Sequence, residues 1–243
     1  MKGLYGLALV IALLAQAAIA ESLRLAGDSW PPFTDRRLPG NGLAVELVSA
    51  ALKRAGHTSE YVEVPWARVL RGLQQGDYDI VVAAWYSPER ARYALFSDTY
   101  LINRIRFLRR VGAPIEYEGL GSLRRFSIAV VRGYSYDPAF DSAQDLTRVP
   151  VLEFAMGARM LAAGRVQLTL EDELVAQYHL SRGLREIRDA VEFVDAPLSE
   201  NGLHILVRRS HPLHQQIVRE FDENISAMKA DGTYRQIFKR HGL

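Results

Sequence analysis

The stretch Tyr61-Val62-Glu63-Val64-Pro65-Trp66, continued by Val69, Leu70 and Leu73 and closed by Gly76-Asp77-Tyr78-Asp79-Ile80-Val81-Val82-Ala83-Ala84, decides how this chain folds. Tyr61 to Val64 is rich in residues that suit a pleated surface and predicts a strand. Pro65 stands where a helix starts, because its missing N–H is one of the donors a first turn leaves unbonded anyway. Val69, Leu70 and Leu73 supply the buried face of that helix, and Gly76 stops it. Asp79 to Ala84 is then a strand-length apolar run, which predicts a strand covered on both faces in a mostly parallel sheet.

The same alternation extends in both directions. Leu23 to Ala26 predicts a first strand, and Gly42 to Gly56 a helix whose Leu43, Val45, Leu47, Val48, Ala51 and Leu52 share one face. A long extended segment, Ile102 to Arg110, leads into a second set of elements. There Ser127 to Val131, Val149 to Glu153 and Val166 to Leu170 read as strands, and Tyr134 to Phe140, Ala155 to Ala163 and Glu171 to Leu180 as helices. Val191 to Val194 and Leu203 to Val207 read as extended, and the chain ends in helical periodicity from Leu213 to Met228 and from Tyr234 to Phe238, interrupted at Asp231-Gly232. Two such sets in about 220 residues predict two small α/β lobes rather than one continuous sheet. Leu203 to Val207 is expected to pair in the first lobe, so the chain crosses twice, near Ile105 to Val111 and Phe193 to Glu200, and the cleft between the lobes is the natural binding place.

Composition narrows the functions. Of 243 residues, 49% are hydrophobic and 24% charged, enough apolar material for a core. The net charge of +2 from 30 basic and 28 acidic residues is too even for a nucleic-acid footprint. The absence of Cys removes disulfides, thiolate catalysis, zinc ribbons, iron-sulfur clusters and a lipid-anchored cysteine. At the N-terminus, Lys2, the apolar run Leu4 to Ala15 and the small-residue site Ala18-Ile19-Ala20 read as a secretory signal over residues 1–20, cleaved after Ala20. The mature chain, starting at Glu21, is expected to be a soluble exported monomer.

Trp30-Pro31-Pro32-Phe33, then Gly76 to Val82, Ser87-Pro88-Glu89-Arg90 and Phe96-Ser97-Asp98-Thr99-Tyr100 follow one another in a telling order. Val130-Val131-Arg132-Gly133-Tyr134-Ser135, Gly164-Arg165-Val166, Leu170-Glu171-Asp172-Glu173, Leu198-Ser199-Glu200-Asn201-Gly202 and Lys229-Ala230-Asp231-Gly232-Thr233 extend it. This ordered set resembles the bacterial extracellular solute-binding proteins of family 3, the periplasmic receptors of polar amino acid ABC importers, over essentially all of Glu21 to Leu243.

The resemblance implies a periplasmic binding protein type II fold, with residues 21–107 plus 200–243 as lobe 1 and 108–199 as lobe 2. It also implies a small carboxylated ligand, an amino acid or relative, an inner-membrane ABC permease as partner, and no cofactor or metal. Under it, Trp30 and Tyr61 sandwich the ligand's side chain, Arg90 grips its α-carboxylate with two parallel donors, Ser135 donates to the same carboxylate from the other lobe, and Asp172 pairs with the α-amino group. Tyr134, beside Ser135, joins the expected ligand contacts. Each has a plainer alternative: Arg90 solvated or paired with Glu89 or Asp98, Trp30 and Trp66 as packing residues, and Asp172 capping its helix.

Two departures stand out. Where amino-acid receptors of this family carry Gly or Ser and a hydroxyl, this chain reads Ala83-Ala84-Trp85-Tyr86, so Trp85 reshapes the cleft. Trp66 and Arg68 open a helix whose N-terminus is expected to face the cleft and favour an anion. An aromatic-walled, arginine-rich pocket also suits a dicarboxylate, an aromatic acid or a modified amino acid.

Other signals are weaker. His211 and His214 share a helical face without a third ligand nearby, the glycine pairs near residues 40 and 119 lack a phosphate-loop context, and no Gly-x-Ser-x-Gly elbow is present. Besides transport, two readings remain open: a periplasmic sensor for a signalling receptor, and a dehydratase resembling cyclohexadienyl dehydratase, whose acid would be Glu173 or Glu171. Against the second, both carboxylates are expected to flank Asp172 on an ordinary helix.

Overall fold

A computed structural model describes residues 22–242; the secretory signal read over residues 1–20 lies outside them. In the first lobe β1 (Leu23–Gly27), β2 (Ser59–Glu63) and β3 (Ile80–Trp85) run parallel, with α1 (Leu43–Arg54) and α2 (Trp66–Gln75) as the crossovers. Helices on both faces explain why β3 is apolar throughout: Ile80, Val81 and Val82 are all fully buried. α2 stops at Gly76, which is left-handed at φ 83° and whose N–H caps the Gly72 carbonyl.

The second lobe repeats the rhythm. β6 (Ser127–Val131) pairs in parallel with β7 (Thr147–Val151) and β8 (Leu168–Asp172), and α5 (Phe154–Ala162) packs on them after the short α4 (Pro138–Ser142). α6 (Glu173–Ser181) leaves directly from β8. The strand takes Glu171 and Asp172, which the periodicity assigns to the helix, because Leu168 to Asp172 is buried along its whole length.

Two long strands carry the chain between lobes. β5 (Leu101–Arg110) and β9 (Val191–Arg208) pair antiparallel from Leu101 opposite Leu203 to Arg110 opposite Val191. They merge the lobes into one nine-stranded sheet in the order β2-β1-β3-β9-β5-β8-β6-β7, with the short β4 (Ala94–Phe96) on β9. The sheet is therefore continuous, where the alternation predicts two separate ones. The extended runs at Val191 and Leu203 are one strand of 18 residues, because each part of it finds a ladder partner: β5 for the crossing, β3 and β4 for the end in the first lobe. α3 (Pro88–Ala91) precedes β4, and α7 (His214–Ala230) and α8 (Thr233–Arg240) close the first lobe against α1.

The central apolar cluster runs from Leu25, Leu47 and Ile80 through Ile105 and Phe107 on the crossing strand to Leu168 and Leu170. Each such side chain contributes about 1.5–3 kcal/mol by leaving water, so the crossing strands are held by core as well as by ladder. Among the described residues no helix is long and apolar enough to cross a membrane.

Candidate functional site

The site is built where strand ends of both lobes meet. β1 ends at Gly27, and the chain turns back so that the Trp30 N–H donates to the Thr34 carbonyl while the Phe33 and Thr34 N–H groups donate to the Trp30 carbonyl. The carbonyls of Pro32 and Phe33 then accept from Leu43 and Ala44, the first amides of α1, which have no partner within their helix. Gly42 permits this contact: its φ is 101°, and a Cβ there would stand 2.5 Å from the Phe33 oxygen. The turn thereby fixes the Trp30 ring, 7% exposed, at the sheet's end.

Arg90 comes from α3, which follows β3 by a two-residue turn. Its side chain is 4% exposed and runs inward, where Nη1 donates to the Trp85 carbonyl at 2.8 Å and Nη2 to the Gly133 carbonyl at 2.7 Å. Gly133 belongs to the other lobe, and its carbonyl also accepts from Trp66 Nε1 at 3.1 Å. The guanidinium carbon lies 5.1 Å from the centre of the Trp66 ring, a cation-π arrangement. Desolvation lowers the Arg90 pKa from its ordinary value, and among the described residues no carboxylate lies within ion-pair distance of it.

Four aromatic rings enclose the space between the lobes. The Trp85 ring centre lies 5.6 Å from Trp30, 5.4 Å from Tyr134 and 5.7 Å from Tyr136, mostly edge to face. With Asp28, Trp66, Ala83, Ala84, Arg90 and Leu203, the rings of Trp30, Trp85 and Tyr134 line a tight cavity. It leaves about 20 Å³ for the centre of a water-sized sphere, room for about one water. On the other side of Trp85 a wider groove of about 540 Å³ opens between the lobes, bordered by Glu89, Asp137, Asp141 and Glu200 with no basic residue in its lining.

Three carboxylates sit at this seam, each in a different condition. Asp172 caps α6: Oδ1 accepts from the Val175 N–H at 3.0 Å, and Oδ2 accepts from Asn103 Nδ2 at 3.0 Å. The Asn103 Oδ1 in turn accepts from Trp85 Nε1 at 3.0 Å. Burial pushes Asp172 up to about 6 against the pull of these donors. Glu171 has no exposed surface; its Oε1 accepts from Trp30 Nε1 at 3.1 Å, across the seam, and from the Asp172 N–H at 2.9 Å, while Oε2 has no hydrogen-bond partner among the described residues. Burial pushes its pKa up to about 8, and the charges of Asp172 and Asp28 add to the rise. Asp28, half-buried in the cavity wall, is raised to about 7 by desolvation and the neighbouring Glu63, with Arg90 pulling the other way.

Of the residues singled out in the sequence, Trp30, Trp66, Trp85, Arg90 and Tyr134 converge on the cavity. Asp172 is buried nearby but turned to its own helix and Asn103. Ser135 borders the wider groove instead. Tyr61 and Arg68 stay outside the cavity lining. Tyr61 lies on β2, one strand beyond β1, with its ring against Gly27, so Trp30 faces Trp85 and Phe33 rather than Tyr61. Arg68 is exposed on α2.

The two acids named for a dehydratase separate: Glu173 is ion-paired to Arg106 at 2.8 Å and Arg104 at 3.4 Å, and Glu171 is a buried strand residue rather than part of a helix. His211 Nδ1 accepts from the Leu213 N–H, and among the described residues no group of three His, Asp or Glu is placed to hold a metal. Asp28, Asn103, Gly133 and Tyr136 were not indicated by sequence reasoning. Asn103 had a readable signal, as a polar residue on the apolar side of the alternation Leu101, Asn103, Ile105, Phe107.

Known proteins share this architecture. The chain is similar to the L-cystine-binding protein TcyA of Bacillus subtilis (strain 168), 25% identical over 214 residues, which is 82% of this chain and 71% of that protein. A histidine kinase sensor domain with similarity to periplasmic binding proteins superposes with a TM-score of 0.77 at 22% identity, covering 90% of this chain and 95% of that one. The ancestral amino acid-binding protein AncCDT-1, a precursor of cyclohexadienyl dehydratase, superposes at 0.72 and 23% identity, covering 90% and 94%. The family model of the bacterial extracellular solute-binding proteins, family 3, matches residues 23–243, and the chain belongs to that family.

Proposed function

We propose that this protein captures an amino acid or a close relative between its lobes in the periplasm, after removal of residues 1–20, and delivers it as a monomer to an ABC permease. The observation that carries the reading is Arg90: a guanidinium sunk between the lobes, beside an aromatic cavity, bonded to two carbonyl oxygens and, among the described residues, to no carboxylate. Burying a cation without a counter-ion is costly, and a ligand carboxylate supplies the missing charge in bidentate form. The lobes meet at the crossing of β5 and β9, with residues 21–107 and 200–243 on one side and 108–199 on the other. Arg90 and Trp30 come from one lobe and Tyr134 from the other, so a ligand held among them contacts both lobes only when they are closed, and capture and closure are one equilibrium. The cavity holds about one water-sized sphere, so an amino acid enters only when the lobes part or Trp85 swings away.

The test is thermal denaturation of the protein with individual amino acids and organic acids. A specific ligand should raise the melting temperature, and Arg90→Ala should abolish the rise. A rise that survives Arg90→Ala removes the anchor.

A second reading, a dehydratase-like enzyme, draws on Glu171, since an acid pushed up to about 8 by burial is protonated at neutrality and could donate to a leaving group. Incubation with prephenate or arogenate decides it: no release of carbon dioxide leaves the binding reading alone. A sensor role shares the same capture step and differs in the partner that reads closure. It predicts a periplasmic receptor domain, rather than a permease, on the closed form.

A further inference from the structure

We infer that a basic groove between the lobes, apart from the candidate ligand cavity, is a docking surface for a partner protein's peptide segment carrying both carboxylates and apolar side chains. The groove encloses about 860 Å³. It shares no lining residue with the cavity around Arg90 or with the acidic groove beside Trp85, and is therefore a separate site. Its first-lobe wall is Pro32, the turn Arg37-Leu38-Pro39 and the pair Arg240-His241; its second-lobe wall is one face of α6 with Arg188 beyond it. α6 buries Val175 and Ala176. Leu174, Gln177, Tyr178, Ser181 and Arg182, spaced three and four apart, form the face that lines the groove.

Charge sets the partner's chemistry. Among the described residues no carboxylate lines the groove. Arg37 is paired to Asp35, and Arg240 and His241 share Glu46, but Arg182 and Arg188 are exposed and have no carboxylate within ion-pair distance among the described residues. The Arg182 guanidinium carbon stands 4.7 Å from the centre of the Tyr178 ring, a stack that leaves its edge donors open to a carboxylate. The same lining presents apolar surface, with Leu174 and Pro39 exposed and Leu38 half-buried. A simple polyanion would leave that surface wet, and a flat anionic membrane does not enter a concave groove; a peptide segment supplies side chains for both kinds of surface. Arginine and tyrosine are also the residues on which binding energy concentrates. The acidic groove, bordered by Glu89, Asp137, Asp141 and Glu200, repels the same segment and so fixes which of the two grooves it enters. A segment seated in the basic groove touches both lobes at once, so its hold depends on how they stand to each other.

The test is fluorescence anisotropy of the full-length protein with short labelled peptides of mixed glutamate and leucine, glutamate and serine, or lysine and leucine. The glutamate-leucine peptide should bind at least about tenfold tighter than either of the others. Arg182→Glu combined with Arg188→Glu should weaken it by about tenfold, because two attractions become two repulsions, each modest at an exposed site. Arg71→Glu combined with Arg132→Glu makes the same change of net charge at exposed arginines outside the groove. It should leave the affinity within about threefold of wild type.

No binding of the glutamate-leucine peptide, or equal weakening by the two double variants, overturns the inference. Equal affinity for the glutamate-serine peptide also overturns it, since charge attraction alone would then account for binding. If vesicles of phosphatidylglycerol take up the wild type but not Arg182→Glu with Arg188→Glu, while the peptide stays free, the groove belongs to a membrane surface and the inference falls. Should that double variant fail to fold, Gln177→Glu, at an exposed position of the same lining, takes its place: a weakening of about threefold supports the inference, and unchanged affinity overturns it.

Discussion

Asp79 and Glu171 are two carboxylates buried at the ends of strands in opposite lobes, and they could hardly be treated more differently. Asp79 sits at the foot of β3 inside a cage of donors. Arg24 gives it its backbone N–H, Nε and Nη2, and Arg208 gives Nε and Nη2, at 2.9–3.1 Å. These donors outweigh burial and hold its carboxyl below the usual range. Glu171 has one indole N–H, one amide N–H and an orphaned oxygen, and burial drives it up to about 8. Buried acids that hold a fold together are commonly paired; Glu171, at the seam between the lobes, keeps one oxygen without a hydrogen bond among the described residues.

The sharpest way to break the comparison is to delete the paired acid. Asp79→Ala strips both guanidiniums of their carboxylate and loosens the joint between β1, β3 and β9. Removing one partner of such a cluster costs about 3–5 kcal/mol when fully buried. Part of Arg24 reaches water, so about 2–4 kcal/mol is expected here, or a fall in melting temperature of roughly 5–15 °C. If the melting temperature of Asp79→Ala stayed within a degree of wild type, pairing would not distinguish the two acids.

The second prediction uses opposite pH dependences. Glu171 has a folded pKa raised above its ordinary 4.5, so the stability it contributes is complete below about 4.5 and is lost as the pH climbs toward about 8. Asp28 and Asp172, also raised, act in the same direction at lower pH. Asp79, depressed, contributes above its ordinary 3.8 and loses that contribution as the pH falls. Melting curves from about pH 5 to pH 8.5 should therefore show Glu171→Gln gaining on wild type toward alkaline pH, by an amount of the order of 5 °C. A constant offset between the two proteins would mean that Glu171 titrates normally.

Asn103 offers a smaller test of the same idea, because it links Trp85 to Asp172 without carrying charge. Asn103→Leu fits a buried strand position yet leaves the indole N–H and one Asp172 oxygen without their partner, at about 1–3 kcal/mol. The loss should appear as a melting temperature lowered by roughly 2–8 °C, together with a Trp85 fluorescence shift as the ring is freed. An unchanged spectrum would show that Asn103 does not hold the indole.

These polar contacts mark where the sequence stops being readable. The alternation of apolar strands and one-faced helices is a local property, so α1, α2, β3 and the crossing run at Ile102 to Arg110 can be read from spacing alone, and the ordered motifs lead to the family. Continuity of the sheet cannot be read so, because it depends on β5 and β9 pairing across roughly a hundred residues of separation. Of the site, the aromatic wall and Arg90 stand in motifs, and they line the cavity. Glu171 is named only as an acid for the dehydratase reading and its burial is missed, because periodicity places the start of α6 two residues early, turning a buried strand residue into a solvated first turn. Tyr61 lies outside the cavity lining for a related reason: its strand is recognised, but which strand borders the cavity is a matter of sheet order.

Tyr61 supplies the smallest prediction and a check on the whole contrast. Its hydroxyl is buried, forms no well-made hydrogen bond among the described residues although the Thr34 hydroxyl lies near enough to lower its pKa slightly, and packs close to Gly27 on the neighbouring strand; burial outweighs that pull and raises its pKa. It is thus a poorly satisfied group like Glu171 Oε2, but neutral. Removing a hydroxyl without a well-made hydrogen bond forfeits little, so Tyr61→Phe should leave the melting temperature within about 2 °C of wild type. Ligand affinity should stay within about twofold. A loss of affinity in Tyr61→Phe would return this ring to the ligand's wall. Equal affinity keeps it out, and leaves charge as what separates the two atoms, since only the one in Glu171 belongs to an acid that has to be neutralised.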